Sequence, residues 1–136
     1  MSQELEELRM AWLGLKARVD QLAAERQQYL EFFENAGAAY VVTASDGRIV
    51  EANGAAVDVL QRRKRYLRGK PLTVLIALKQ RAEFRSRLAC IATGEATDRT
   101  WRTVLAAGAE RVEVEITARI IGEPSSGICW RLEAVQ

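Results

Sequence analysis

Histidine is absent from the 136 residues. Its absence removes the commonest general base and the commonest transition-metal ligand, and excludes haem held by imidazole. Cysteine is scarce as well. Cys90 and Cys129 are the only two, too few and too far apart for a disulfide framework or a metal-ligand pair. They read as small buried hydrophobes in a reducing compartment. No apolar run approaches the roughly 18 residues of a membrane span. The acids Glu4, Glu6 and Glu7 at the start are the reverse of a secretory leader. Neither a nucleophile motif nor a glycine-rich phosphate loop is present. The expectation is a cytoplasmic chain that is not an enzyme and does not contact a membrane.

Charge, by contrast, is plentiful and unevenly placed. Residues 1–35 hold seven acids and four bases, whereas the remainder holds eleven acids and sixteen bases. An acidic leader therefore precedes a basic body, and we divide the chain into an N-terminal helix (1–34) and a domain (35–136).

The leader has a heptad pattern. Leu5, Trp12, Val19 and Arg26 fall at one repeat position, and Leu8, Leu15, Leu22 and Tyr29 at the other. Seven of these eight are apolar or aromatic. So narrow a stripe is typical of a coiled-coil seam, where a core-facing helix would carry a broader one. The alternative is that the stripe packs on the chain's own body. A helix over residues 4–30 would extend roughly 40 Å at 1.5 Å per residue, more than one small domain covers. The seam residues Leu5, Leu8, Trp12, Leu15, Val19, Leu22 and Tyr29 therefore predict a homodimer.

After Gly37 the period changes to that of strands. "AAYVVTA" is β-branched and bounded by turn residues, Asp46-Gly47 supplies the positive φ of a tight hairpin, and "RIVEA" returns. Asn53 is placed to cap a short helix, "GAAVDVLQ". The basic segment "RRKRYLRGKPL" is broken by Gly69 and Pro71, so short helices are expected there. Helix resumes over Lys79–Thr93, with Phe84, Leu88 and Ile91 on one face and Gly94 as its terminator. Three strands close the chain: "RTWRTVLA", "RVEVEITARII" and "ICWRLEAV". The middle one alternates cleanly, Val112 to Ile120 on one face and Glu113 to Arg119 on the other. The predicted class is α+β: a five-stranded antiparallel sheet with helices on one face, preceded by a long amphipathic helix.

This order and its junctions resemble the PAS sensor family over about residues 30–135. The matching residues are Asp46-Gly47, Ile49 and Ala52-Asn53 at the hairpin-to-helix junction, although some members have one more residue between the Asp and the Gly. "RGKPL" (Arg68–Leu72), "TGEA" (Thr93–Ala96) and "SGICWRL" (Ser126–Leu132) complete the match. The "D-I-T" that often couples the family's last strand to an output helix is missing from "LEAVQ". Either an output module lies outside this chain, or the protein acts without one.

The resemblance implies a sensory or protein-interaction module, in which some members hold a cofactor between sheet and helices. The cysteine segment by which light-sensing members bind flavin covalently has no counterpart, and Cys90 in "LACIA" reads as a structural thiol. No cofactor is assigned, but non-covalent flavin stays open. Val42, Leu60, Phe84, Leu88, Ile91, Trp101 and Trp130 would line a pocket for it, or would simply fill the core. "RRKRYLRGK" carries six cations in nine residues. With no reading helix or stacking platform beside it, nucleic acid is not the expected partner; a solvated loop or an acidic protein partner is.

Overall fold

The computed structural model describes residues 2–94, 99–121 and 127–135. The chain divides into two compact units, Met1–Phe33 and Glu34–Gln136. The first is carried by one helix, α1 (Ser2–Glu34), of 33 residues. Nothing in its sequence interrupts it except Gly14, which costs about 1 kcal/mol of helix stability. Glu4 in the first turn opposes the positive end of the helix dipole.

In the second unit, strand β1 (Ala39–Thr43) and strand β2 (Ile49–Ala52) form the expected hairpin. Its turn is built from local chemistry. The Gly47 amide donates to the Ala44 carbonyl at 2.9 Å, and Ala44 N–H donates to the Arg48 carbonyl at 2.8 Å. Asp46 Oδ1 accepts from the Arg48 amide at 3.0 Å. Gly47 takes φ +91°, which favours glycine, and a Cβ there would come within 2.8 Å of Leu88 Cδ2, so that this side chain would also have to shift.

Asn53 then starts α2 (Gly54–Leu60). The basic segment follows as α3 (Lys64–Leu67) and a 3-10 turn at Leu72–Leu75. A second 3-10 turn at Leu78–Gln80 leads into α4 (Arg81–Ala92). The predicted start at Lys79 is thus two residues early, because the first turn is 3-10. At the other end Gly94 takes φ +78° and donates to the Ile91 carbonyl at 3.1 Å, the left-handed terminator anticipated. Strands β3 (Thr100–Ala107), β4 (Glu110–Ile121) and β5 (Gly127–Ala134) complete the unit. Glu95 and Ala96 of "TGEA", and residues 122–126 of the turn before β5, lie outside the described residues.

All five strands pair antiparallel in one sheet of order β2-β1-β5-β4-β3. One face carries the core: Val41, Trp101, Leu105, Val114, Ile116, Ala118, Ile128 and Trp130 pack with Leu60, Leu67, Leu72, Phe84 and Ile91. Burying each large side chain contributes roughly 1.5–3 kcal/mol. Both outer strands are partly covered. On β2, Gly69 N–H donates to the Ile49 carbonyl and Ile49 N–H to the Lys70 carbonyl, both at 2.8 Å. On β3, Val104 accepts from Ala77 N–H at 2.7 Å. An edge so occupied is a poor template for a foreign strand.

Candidate functional site

Two places are candidates from the sequence, the interior between sheet and helices and the seam of α1. The interior is built from strand alternation. Trp130 of β5 pairs with Val41 of β1 and Ala118 of β4, so all three face the helices. Trp101 of β3 shares that face, and Phe84 enters from α4. Phe84 and Trp130 have ring centroids 5.3 Å apart, Trp101 and Trp130 stand edge to face at 6.1 Å, and Phe84 and Trp101 are 6.3 Å apart. These are the spacings at which aromatic pairs attract beyond simple burial. The indole Nε1 of Trp130 donates to Thr43 Oγ1 at 2.9 Å, both side chains being buried. Arg87 lies 4.8 Å from the Trp101 centroid, closing the outer side of that ring while its Nε donates to Glu83 at 3.0 Å.

Leu60, Phe84, Ile91, Trp101 and Trp130 therefore come together in one cluster, with half-buried Leu88 packed against it. Val42 does not join them. It is opposite Cys129 on the other sheet face, because β1 alternates and Val41 and Thr43 take the inward positions. Thr43, the partner of the Trp130 indole, was missed. A threonine in a strand carries no signal that its hydroxyl is buried.

The three rings occupy the interior themselves. The surface grooves of the body include two formed by described residues. One, of about 420 Å³, is lined by Ala77, Leu78, Lys79, Gln80, Val104 and Arg111. The other, of about 390 Å³, is bordered by Gly37, Ala55, Val59 and Leu132 among others. Neither includes any of the seven nominated pocket residues. Among the described residues no cluster of three or more His, Cys, Asp or Glu side chains could hold a metal ion.

Asn53 is the polar centre of the body. It is fully buried, and its Oδ1 accepts from the amides of Ala56 and Tyr40, each at 3.0 Å. Its Nδ2 donates to the Ala38 carbonyl at 2.8 Å. One side chain thus caps α2 and also ties that helix to the start of β1.

On α1 the seam residues Leu5, Leu8, Trp12, Leu15, Val19, Leu22 and Tyr29 are each 59–68% exposed. Arg26 interrupts the line, and Lys16 Nζ sits 5.4 Å from the Trp12 ring centroid. The basic segment is largely exposed apart from buried Leu67. Two of its cations are paired, Arg68 with Glu51 at 3.3 Å and Lys64 with Glu34. Burial, and then the Arg68 charge, hold Lys64 below the ordinary lysine value. Arg62 and Lys70 lie 5.6 and 5.2 Å from the Tyr66 ring centroid. Burial also raises the Cys129 thiol, with Arg119 opposing, which leaves it less thiolate at neutral pH and a weaker nucleophile.

Residues 27–135 match the family model described as PAS fold, and the chain belongs to that family. Solved structures agree on the fold. The PAS domain of an HTR-like protein from Haloarcula marismortui superposes with a TM-score of 0.71 at 18% identity, covering 88% of this chain and 99% of that one. A domain of a sensory box sensor histidine kinase/response regulator from Geobacter sulfurreducens gives 0.68 at 18% identity, covering 82% and 96%. The PAS domain of a LuxR-family transcriptional regulator from Burkholderia thailandensis, in complex with ethanol, gives 0.65 at 15% identity, covering 79% and 96%. No curated protein matches the chain. Membership places it in a class of sensory and signal-transducing domains. Among the described residues no helix is long and apolar enough to cross a membrane.

Proposed function

We propose that this chain is a cytoplasmic PAS signalling module that forms a homodimer through α1 and passes a signal to an effector domain or partner protein by rearranging that dimer. The observation that carries this reading is the exposed line of seven apolar side chains at heptad spacing on α1. Helices owe most of their stability in proteins to packing of an apolar face, and a seam this narrow fits one other helix. Placing glutamate at two adjacent seam layers, Trp12→Glu with Leu15→Glu, is expected to convert the dimer to monomer in sedimentation. Both positions are exposed, so the body should keep its thermal midpoint. A double variant that sediments as a dimer would remove α1 as the interface.

A second reading is a small-molecule sensor with a ligand, flavin included, held between sheet and helices. It is supported by the apolar interior and by the ethanol complex of the Burkholderia thailandensis domain. The packed Phe84, Trp101 and Trp130 rings weigh against it, since a ligand would have to displace them. Under the first reading the purified protein is colourless and yields no extractable ligand by mass spectrometry. A flavin absorbance band or a stoichiometric small molecule would reverse the preference.

A further inference from the structure

We infer that the α1 seam joins two copies in parallel and in register, an assignment that rests on the self-association proposed above. Write Leu5, Trp12, Val19 and Arg26 as position a, and Leu8, Leu15, Leu22 and Tyr29 as position d. Leucine at three of the four d positions, with β-branched Val19 at a, fits two strands once the helices run parallel; the orientation itself is set by the charges.

The flanking charges favour the parallel arrangement. Glu4, Arg18 and Glu25 fall at g, and Arg9 and Lys16 at e. In a parallel, in-register pair each g side chain faces the e side chain five residues on, so Glu4 meets Arg9 of the partner subunit. Arg26 at a faces Arg26 of the partner subunit, and each of the two arginines lies beside the other chain's Glu25 at the preceding g, so that the layer carries two acids for its two bases. Reversing one helix at its longest overlap sets Arg18 against Arg18 and Lys16 against Lys16 across the two-fold axis. It also sets Arg26 against Leu8. Like charges so placed are repulsive, and the arginine loses its acid. Among the described residues Glu4, Arg9 and Arg26 form no ion pair within their own chain. Glu25 accepts one long hydrogen bond, from Gln21 at 3.3 Å. The charges are therefore available to a second copy. A single polar a residue lowers stability while fixing register, which is the role Arg26 takes here. Parallel pairing delivers both chains into their bodies at the same end of the coil.

Disulfide trapping tests the orientation. In a cysteine-free background (Cys90→Ala, Cys129→Ser), Leu8→Cys and Leu22→Cys are introduced separately and oxidised with copper-phenanthroline. Each single variant should convert most of the protein to covalent dimer on a non-reducing gel, because d faces its own copy in every parallel layer. A background that sediments as a dimer but is trapped only when Leu8→Cys chains are mixed with Arg26→Cys chains would overturn the orientation alone. A background that sediments as a monomer, while the unaltered chain does so too, would overturn self-association with it.

Discussion

Replacing Trp130 by alanine is expected to cost the body about 3–5 kcal/mol, the usual range for removing a large buried aromatic. The ring is fully buried, contacts Phe84 and Trp101, and donates its indole proton to Thr43. Removing it opens a hole in the middle of the core and leaves the Thr43 hydroxyl buried without that donor. Domains of this size are stable by only about 5–15 kcal/mol, so the loss is a large fraction of the total. Urea unfolding followed by circular dichroism measures it. Trp130→Phe separates the two contributions: it keeps much of the packing and loses the donor, and should cost visibly less than alanine. If alanine shifts stability by under about 1 kcal/mol, the site collapses around the gap more freely than cores normally do.

The second large effect is expected at Asn53. Alanine there removes the helix cap, typically worth about 1 kcal/mol. It also strands the Tyr40 amide and the Ala38 carbonyl, both only part-buried, at the low end of the about 1–3 kcal/mol that an unpaired group costs. A total near 3 kcal/mol is expected in the same unfolding experiment. Aspartate discriminates between roles. At an ordinary cap Asp and Asn are nearly equivalent. Here aspartate loses the donor to Ala38 and places a charge at a fully buried position, so Asn53→Asp should remain close to the alanine variant. Full rescue by aspartate would reduce Asn53 to a simple cap.

These two residues also mark what a reader of the sequence can and cannot reach. Asn53, Gly47 and Gly94 were legible because their requirements are local: a cap acceptor, or a positive φ that glycine tolerates. The end of α2 was legible to within one residue: "GAAVDVLQ" includes Gln61, which the structure places just past the helix as its left-handed cap, φ 53°, with no glycine to announce it. Val42 was misplaced. Val41 and Val42 are adjacent and equally apolar, and a strand turns only one of them inward. Parity is decided by the partner strands, which place Val41 opposite Trp130. The residues expected to line a pocket or fill the core were legible as apolar and helix- or strand-facing. That three of them would meet ring to ring, with Thr43 beneath the indole, depends on sheet order and β5 register, which no local pattern encodes. The heptad of α1 is the opposite case, because its spacing is the whole of its signal.

The position of β5 governs how the body can form. The first strand of the domain pairs along its length with the last, residues 39–43 against 128–132, in the middle of the sheet. Such a pairing closes the longest loop available, and loop closure of this kind slows folding. The β1–β2 hairpin and the β3–β4 hairpin can each form early from neighbours in sequence. The indole that fills the core arrives only with β5. The body should therefore gain its interior in a late, concerted step, whereas α1 needs only neighbours in sequence and a second helix. A ribosome-bound chain stopped short of Gly127 would present the pairing edge of β1 and the inner face of the β1–β2 hairpin uncovered. That interval is when this fold is most open to aggregation.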